Sequence, residues 1–527
     1  RIWTLGNKMR FTSTGDLNGS TVYTYNPSST MYTSRVYEVS VRVKVCDPSV
    51  GVERNCKQYP NGNWKPEGLI QKYSNRIRYS VFGYLNDSDM LRDGGVLRAR
   101  QKFVGETLID PDTGEQPNPN MEWDPHTGVL YRNPDSADAA ATGANIQDSG
   151  VINYINKFGQ MTSWNHKSHD PVSELYYTAI RYLKKQGNVP EYSALSGNTT
   201  NRYNLADGFP VITDWDDPIQ YWCQNNAILG IGDANTHRDK NLPGSTATAD
   251  EPTRPSLVSS DDTVNVVTAT NKVAQLEGIT INTNQFTGRQ NSAFIAGLAY
   301  DSHTKDLRPG EDDFEGDQTV STHWVDVREA QVLEPRHRNQ YWLAAKYGGF
   351  MVPENYDPYG NTTPLGDELW NSGETLSTGD PRPENFYVAS EADKMVESLT
   401  SAFAKIVAES AGSASSLAAN STRLETTTMT FQAQFFNGSW RGDLKAYNVL
   451  SNGTLSGTPA WTAGTELAKA TWSNRNIYVN VPTATPAHKL FTWANLNGTQ
   501  RGLLGSSDVV DYLRGDRSKE ESRAGGT

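Results

Sequence analysis

Read as a pattern of apolar and polar positions, the chain opens in strands. Residues 1–45 read as strands and turns, and Val41-Arg42-Val43-Lys44-Val45 alternates strictly, as a strand with one wet face does. A further strand is predicted over 77–85, ending at Asn86-Asp87. Residues 105–150 are polar and rich in Pro, Asn, Asp and Gly, and a stretch this long predicts an ordered excursion rather than an idle loop. The spacing then predicts a helix over 170–185. Asp170 is its expected N-cap, Pro171 suits the first helical position, and Leu175, Ala179 and Leu183 recur every four residues. Lys184 and Lys185 suit the carboxyl end of the helix dipole. The continuous apolar run at 227–231 predicts a central parallel strand, buried on both faces, that delivers Asp233 at its carboxyl end. Ligands collect at that edge in open α/β sheets. A strand over 318–327 and a helix over 339–347, stopped by Gly348-Gly349, follow. A helix over 391–409 has Ser390 and Asp393 as a capping box and Val396, Leu399, Phe403, Ile406 and Val407 as its apolar stripe.

The pattern changes at 410–420, which is small and polar and reads as a linker or surface crossing. After it the signals are all strand, at 426–436, 443–449, 476–481 and 489–493, between Asn-Gly, Ser-Gly and Pro turns. An α/β domain followed by the start of an all-β domain is expected. With no internal repeat, pattern alone does not separate a propeller from a sandwich.

Composition narrows the function. The chain has 527 residues, enough for two large domains or three to four ordinary ones. Its net charge of −12 repels phosphate backbones and argues against nucleic-acid binding. Abundant Gly, Pro, Trp and Tyr suggest a folded, loop-rich, extracellular protein. No run of 18 apolar residues occurs, so no transmembrane helix is expected. The start Arg1-Ile2-Trp3, without Met or a signal-peptide pattern, reads as processed or truncated.

The candidate chemistry is sparse. Cys46 and Cys56 lie in a polar turn-rich loop, where a small disulfide is favoured over free thiols and over a metal pair. Cys223 reads as a buried thiol. There is no nucleophile elbow, P-loop, dinucleotide fingerprint or His-Glu-x-x-His. His166, His169 and Asp170 admit a zinc reading, but solvated histidines are favoured. Asp312, Asp313, Glu315 and Asp317 read as a solvated loop rather than a calcium loop. Asp233 is either a ligand for a hard divalent cation or the cap of the next turn. Two Arg-Gly-Asp tripeptides, Arg441-Gly442-Asp443 and Arg514-Gly515-Asp516, read as turn chemistry in strand regions or as receptor motifs.

Several stretches carry a resemblance. They are Val41-Arg-Val-Lys-Val-Cys46-Asp-Pro, Lys65-Pro-Glu-Gly-Leu-Ile-Gln, Arg92-Asp-Gly-Gly-Val-Leu-Arg and Ser149-Gly-Val-Ile-Asn-Tyr-Ile-Asn-Lys-Phe-Gly. Further on come Asp170-Pro-Val-Ser-Glu-Leu-Tyr-Tyr, Ala299-Tyr-Asp-Ser-His-Thr-Lys-Asp-Leu-Arg, Tyr341-Trp-Leu-Ala-Ala-Lys-Tyr-Gly-Gly-Phe, Trp440-Arg-Gly-Asp-Leu and Val509-Val-Asp-Tyr-Leu-Arg-Gly-Asp-Arg-Ser. In this order the chain resembles the PilY/PilC family, the tip-associated biogenesis factors and adhesins of type IV pili. The resemblance implies a von Willebrand factor A-type α/β domain with long insertions over 1–411, then a linker and the first strands of a β-propeller over 412–527. It implies a secreted protein of a Gram-negative bacterium, at the pilus tip or outer cell surface. There it would bind minor pilins and a host-cell or abiotic surface, with no catalysis.

Von Willebrand A domains hold metal through Asp-x-Ser-x-Ser, a separate Thr, and an Asp after a later strand. The last maps onto Asp233, and Asp170 or Ser173 lies where the Thr is expected, so the resemblance implies a magnesium or calcium ion in the full-length protein and, in this chain, an incomplete ligand set that does not support one. Asp47-Pro-Ser49-Val-Gly51 is a near miss for the first motif. It is rejected because the strand before it alternates with Arg42 and Lys44. The resemblance puts that motif upstream of Arg1 and the propeller calcium loop beyond Thr527. Two other readings stand beside the tip adhesin. One is a metal-dependent surface hydrolase built on His166, His169, Asp170 and Asp233; the other is a von Willebrand A-type receptor unrelated to pili.

Overall fold

The computed structural model describes residues 11–17, 20–25 and most of 44–518. Outside the described residues within that span are 88–91, 111–113, 163–166, 168, 223, 248, 283–285, 288–289, 312–313, 315, 329–331, 354, 390–391, 411–416, 420–428, 437–440, 451–458, 470 and 483. Most of the 41–45 strand, Ser390 of the expected capping box, Cys223, His166 and most of the 312–317 acidic run therefore lie outside the described residues.

Chain contacts divide the protein into two compact units, residues 1–72 with 123–130 and residues 73–122 with 131–527. In the first, Phe11–Leu17 pairs antiparallel with Ser20–Tyr25, and Cys56–Gln58 with Trp64–Pro66. The turn between the cysteines is organised by Glu53. Its carboxylate accepts the Cys46 N–H at 2.7 Å and its carbonyl accepts the Cys56 N–H at 3.0 Å. That draws the two thiols together, and Cys46 and Cys56 are disulfide-bonded with a Cα–Cα distance of 5.7 Å.

The second unit is built around a three-stranded parallel sheet in the order Phe386–Val388, Val320–Asp326, Asn226–Gly232. Alternation along the middle strand serves two layers. Trp324 faces a large aromatic and aliphatic core, whereas Val325 packs with Tyr387, Ala389 and Ala402 against the Ala392–Ser410 helix. The large core is filled by Phe294–Thr304 and Gln340–Tyr347, buried almost all round, with Val172–Leu183 and Val266–Glu277 packed on Phe294–Thr304. Trp324 stacks on Tyr341 at 3.9 Å, and its ring lies flat across Gly230. A Cβ at Gly230 would stand 2.0 Å from that ring, so glycine is required in the middle of a strand.

Three expectations need correction here. The 227–231 strand is real and parallel but is not central: it is an edge of the described sheet, and Ile231 is half exposed. The middle strand is Val320–Asp326, buried at every position but Ser321, and its polar Ser321, Thr322 and His323 hide its interior position from a hydropathy reading. The N-cap of the Val172–Leu183 helix is Pro171, and Asp170 makes no capping bond because its carboxylate is turned to His237. The carboxyl-terminal stretch is not all strand. After the sheet Leu417–Ala419, Met429–Phe436, Arg441–Asn448, Trp461–Thr462 come helices Ala463–Lys469, Gly498–Leu504 and Ser507–Arg514. The last two are started by Asn497 and Ser506 caps, a local signal outweighed in the sequence by neighbouring turn residues.

The 105–150 excursion is ordered, as expected. It contains the hairpin Thr107–Asp110 with Gly114–Pro117 and the helix Ser136–Ala141. Buried Glu122 closes it by accepting the Val151 and Ile152 N–H groups, both at 2.8 Å, at the start of the Val151–Lys157 helix. Among the described residues no helix is long and apolar enough to cross a membrane.

Candidate functional site at the carboxyl edge of the parallel sheet

The carboxyl ends of Asn226–Gly232 and Val320–Asp326 deliver Asp233 and Asp326 to one edge. Asp326 is buried, and its carboxylate accepts the Asn339 side-chain N–H at 2.8 Å. Asn339 also caps the Gln340–Tyr347 helix, accepting the Tyr341 and Trp342 N–H groups at 3.0 Å each. Burial raises the Asp326 pKa, the bond from Asn339 opposes the rise, and the nearby charge of Asp233 adds to it. Asp233 itself accepts the Asn235 N–H at 2.9 Å, so one of its oxygens closes the turn that follows the strand.

The polar loop after that turn meets the start of the Val172–Leu183 helix. His237 Nδ1 and Asp170 Oδ1 are 2.7 Å apart. Burial raises the Asp170 pKa, His237 works against it, and Asp233 again adds. The His169 ring lies 5.4 Å from that of His237. Ser173 is fully buried and faces a different carboxylate. Its hydroxyl donates to Asp239 at 2.6 Å and accepts the Ile295 N–H at 3.2 Å. Asp239, 1% exposed, also accepts the Ser292 N–H at 2.6 Å. Burial pushes its pKa up, and the bonds from Ser173 and Ser292 hold it down. Asp239 thereby joins the amino ends of Val172–Leu183 and Phe294–Thr304, where carboxylates are favoured.

Of the predicted cation ligands, Asp233 and Asp170 thus come to one edge, each with a partner of its own. The Ser173 hydroxyl bonds to Asp239 and the Ile295 N–H. Among the described residues, His169, Asp170 and Asp233 do not converge as a three-ligand group. Asp239, His237, Ser292 and Asp326 were missed by the sequence reading. The available signal was the polar run Thr236-His237-Arg238-Asp239 soon after an apolar strand and its Asp233 turn, where the edge of an α/β sheet gathers its functional groups.

The two Arg-Gly-Asp tripeptides differ from one another. Arg441-Gly442-Asp443 opens the strand Arg441–Asn448, and Asp443 accepts the Leu444 and Gly464 N–H groups at 2.8 and 2.9 Å. Arg514-Gly515-Asp516 is not in a strand region: it ends the helix Ser507–Arg514, with Gly515 as its left-handed cap. The Arg514 guanidinium sits over Trp472 and donates to the Ser473 carbonyl at 2.9 Å.

A family profile described as "PilY1 homolog, second domain" matches residues 84–306, a span holding Asp170, Ser173, Asp233 and Asp239. The type IV pilus biogenesis factor PilY1 homolog of Xylella fastidiosa (strain Temecula1) is 51% identical over 549 residues, covering 99% of this chain and 44% of that protein. The type IV pilus biogenesis factor PilY1 of Pseudomonas aeruginosa (strain UCBPP-PA14) is 27% identical over 176 residues, 30% of this chain and 15% of that protein. The chain thus spans less than half the length of these curated relatives. No solved structure matches it. With half of its residues shared along nearly its whole length, the chain belongs to the PilY/PilC family of type IV pilus biogenesis factors.

Proposed function

We propose that this chain works in type IV pilus biogenesis as a binding and structural protein, an adhesin and assembly factor at the pilus tip. The observation that carries this reading is the 51% identity, along 99% of the chain, to a type IV pilus biogenesis factor PilY1 homolog. The proposed partners are the minor pilins and a host-cell or abiotic surface, and the proposed place is the pilus tip or outer surface of a Gram-negative cell. The parallel sheet with helices on both faces supports a von Willebrand A-type head, with Asp233 and Asp170 as the residues that would hold a magnesium or calcium ion at its carboxyl edge. The strands after residue 416 support the start of a propeller.

Immunogold labelling of sheared pili tests the proposal. Gold at filament ends, with loss of pili on deletion, is expected. Gold on the cell body or in the soluble fraction, with normal pili on deletion, overturns it.

A further inference from the structure

Behind the carboxyl edge, one residue further along the Val172–Leu183 helix, lies a second group of carboxylates. Asp93, Glu174 and Glu251 come from three distant segments, and one oxygen from each lies within 4.8 Å of the others. Asp93 and Glu174 are buried, and the Glu251 side chain is 0% exposed. Glu174 accepts the Gly94 N–H at 2.8 Å and the Asn241 N–H at 2.9 Å. Asp93 accepts the Asn241 side-chain N–H at 2.7 Å. Glu251 is different. Among the described residues neither of its oxygens has a hydrogen-bond partner. Lys240 Nζ stands 3.4 Å from one of them as an ion-pair partner, and it also donates to the Ala249 carbonyl at 2.9 Å. A sealed carboxylate aimed at two others, with one ammonium beside it and no hydrogen bond, stays costly unless a further positive group completes the site.

We propose that Asp93, Glu174 and Glu251 form a buried binding site for a hard divalent cation of the calcium class, separate from the Asp233 edge. The donor set is all oxygen, which selects against zinc and copper. One oxygen from each of the three lies within 4.8 Å of the others, close enough for a single ion to touch all three. The three converging carboxylate oxygens would be part of a larger oxygen shell, as calcium's flexible coordination accepts more readily than the strict octahedron of magnesium. The charge balance points the same way. Burial pushes Asp93 up to about 7 and Glu251 up to about 8, and raises Glu174 well above the usual carboxylate range. Lys240, Lys167 and Arg254 face the group and do not offset that rise. A bound cation would tie the Arg92-Asp93-Gly94 turn and the 240–254 loop to the helix. Gly94 makes the turn's approach possible: at φ +70, a Cβ there would stand 2.1 Å from the Tyr192 ring.

The site does not depend on the pilus reading. Its test is calorimetric titration of the 527-residue chain, stripped with EDTA and desalted, with calcium chloride alone. The expected result is calcium uptake that Asp233→Asn leaves in place and Glu251→Gln weakens at least tenfold. No uptake by the unsubstituted chain, uptake lost on Asp233→Asn, or uptake undiminished by Glu251→Gln overturns the proposal. If Glu251→Gln does not fold, Asp93→Asn carries the same comparison. If neither folds, a calcium-dependent rise in melting temperature that survives Asp233→Asn supports the site, and its absence overturns it.

Discussion

Two neighbouring residues of one helix, Ser173 and Glu174, serve two carboxylate groups built in opposite ways. On the Ser173 side, Asp239 is buried but individually satisfied, by a serine hydroxyl and a backbone N–H at 2.6 Å each. On the Glu174 side, three carboxylates share one enclosed space, and the third of them, Glu251, lacks a hydrogen bond among the described residues. Burial raises pKa values in both places. The first arrangement is therefore a structural joint, since a carboxylate with a full set of donors has no need of an ion. The second is a cation-shaped group whose stability depends on what balances its charge.

The largest effect is expected at the joint. Asp239→Ala leaves the Ser173 hydroxyl and the Ser292 N–H without their acceptor in the core, and should cost about 3 kcal/mol in urea denaturation. A loss below about 1 kcal/mol would break the contrast. Ser173→Ala removes one bond of the same joint and should cost about 1–2 kcal/mol by the same measurement.

The three-carboxylate group should give the pH dependence. Asp93 at about 7 and Glu251 at about 8 lie far above their ordinary values of 3.8 and 4.5. Between about pH 4 and pH 8 the calcium-free folded chain thus binds more protons than the unfolded chain, so its stability falls as pH rises through that window. Melting curves in EDTA at pH 5, 6.5 and 8 should show the decline. Glu251→Gln, which keeps the shape and removes the charge, should flatten part of it and stabilise the calcium-free chain by up to about 1 kcal/mol at pH 8. A steeper decline in the variant would show that the ion pair with Lys240 outweighs the burial of Glu251. The smallest effect is expected at Asp170. Its partly exposed pair with His237 should be worth less than about 1 kcal/mol, so Asp170→Asn should leave the melting temperature nearly unchanged.

Much of the second unit was legible along the chain. The helices Val172–Leu183, Gln340–Tyr347 and Ala392–Ser410 follow from four-residue apolar spacing and glycine stops, signals that lie within one element. Asp233 was legible because a short apolar run ended beside it. Val320–Asp326 was recognisable as a strand, yet its central position was hidden. Thr322 bonds to the Tyr176 hydroxyl at 2.8 Å across 146 residues, a partner no local pattern displays.

By itself the sequence determined the family, favoured a disulfide between Cys46 and Cys56, and marked three helices, whereas Val266–Glu277 and Phe294–Thr304 went unread. The features it marked depend on residue order and short-range spacing. Only the tertiary structure decided which strand is enclosed, which of the many scattered carboxylates are buried, and which meet. Asp93, Glu174 and Glu251 are separated by 81 and 77 residues, with no periodicity linking them. Whether such groups repel, share a proton or hold a cation depends on distances of a few ångströms in a water-poor interior, a property set by packing and absent from any local stretch of chain.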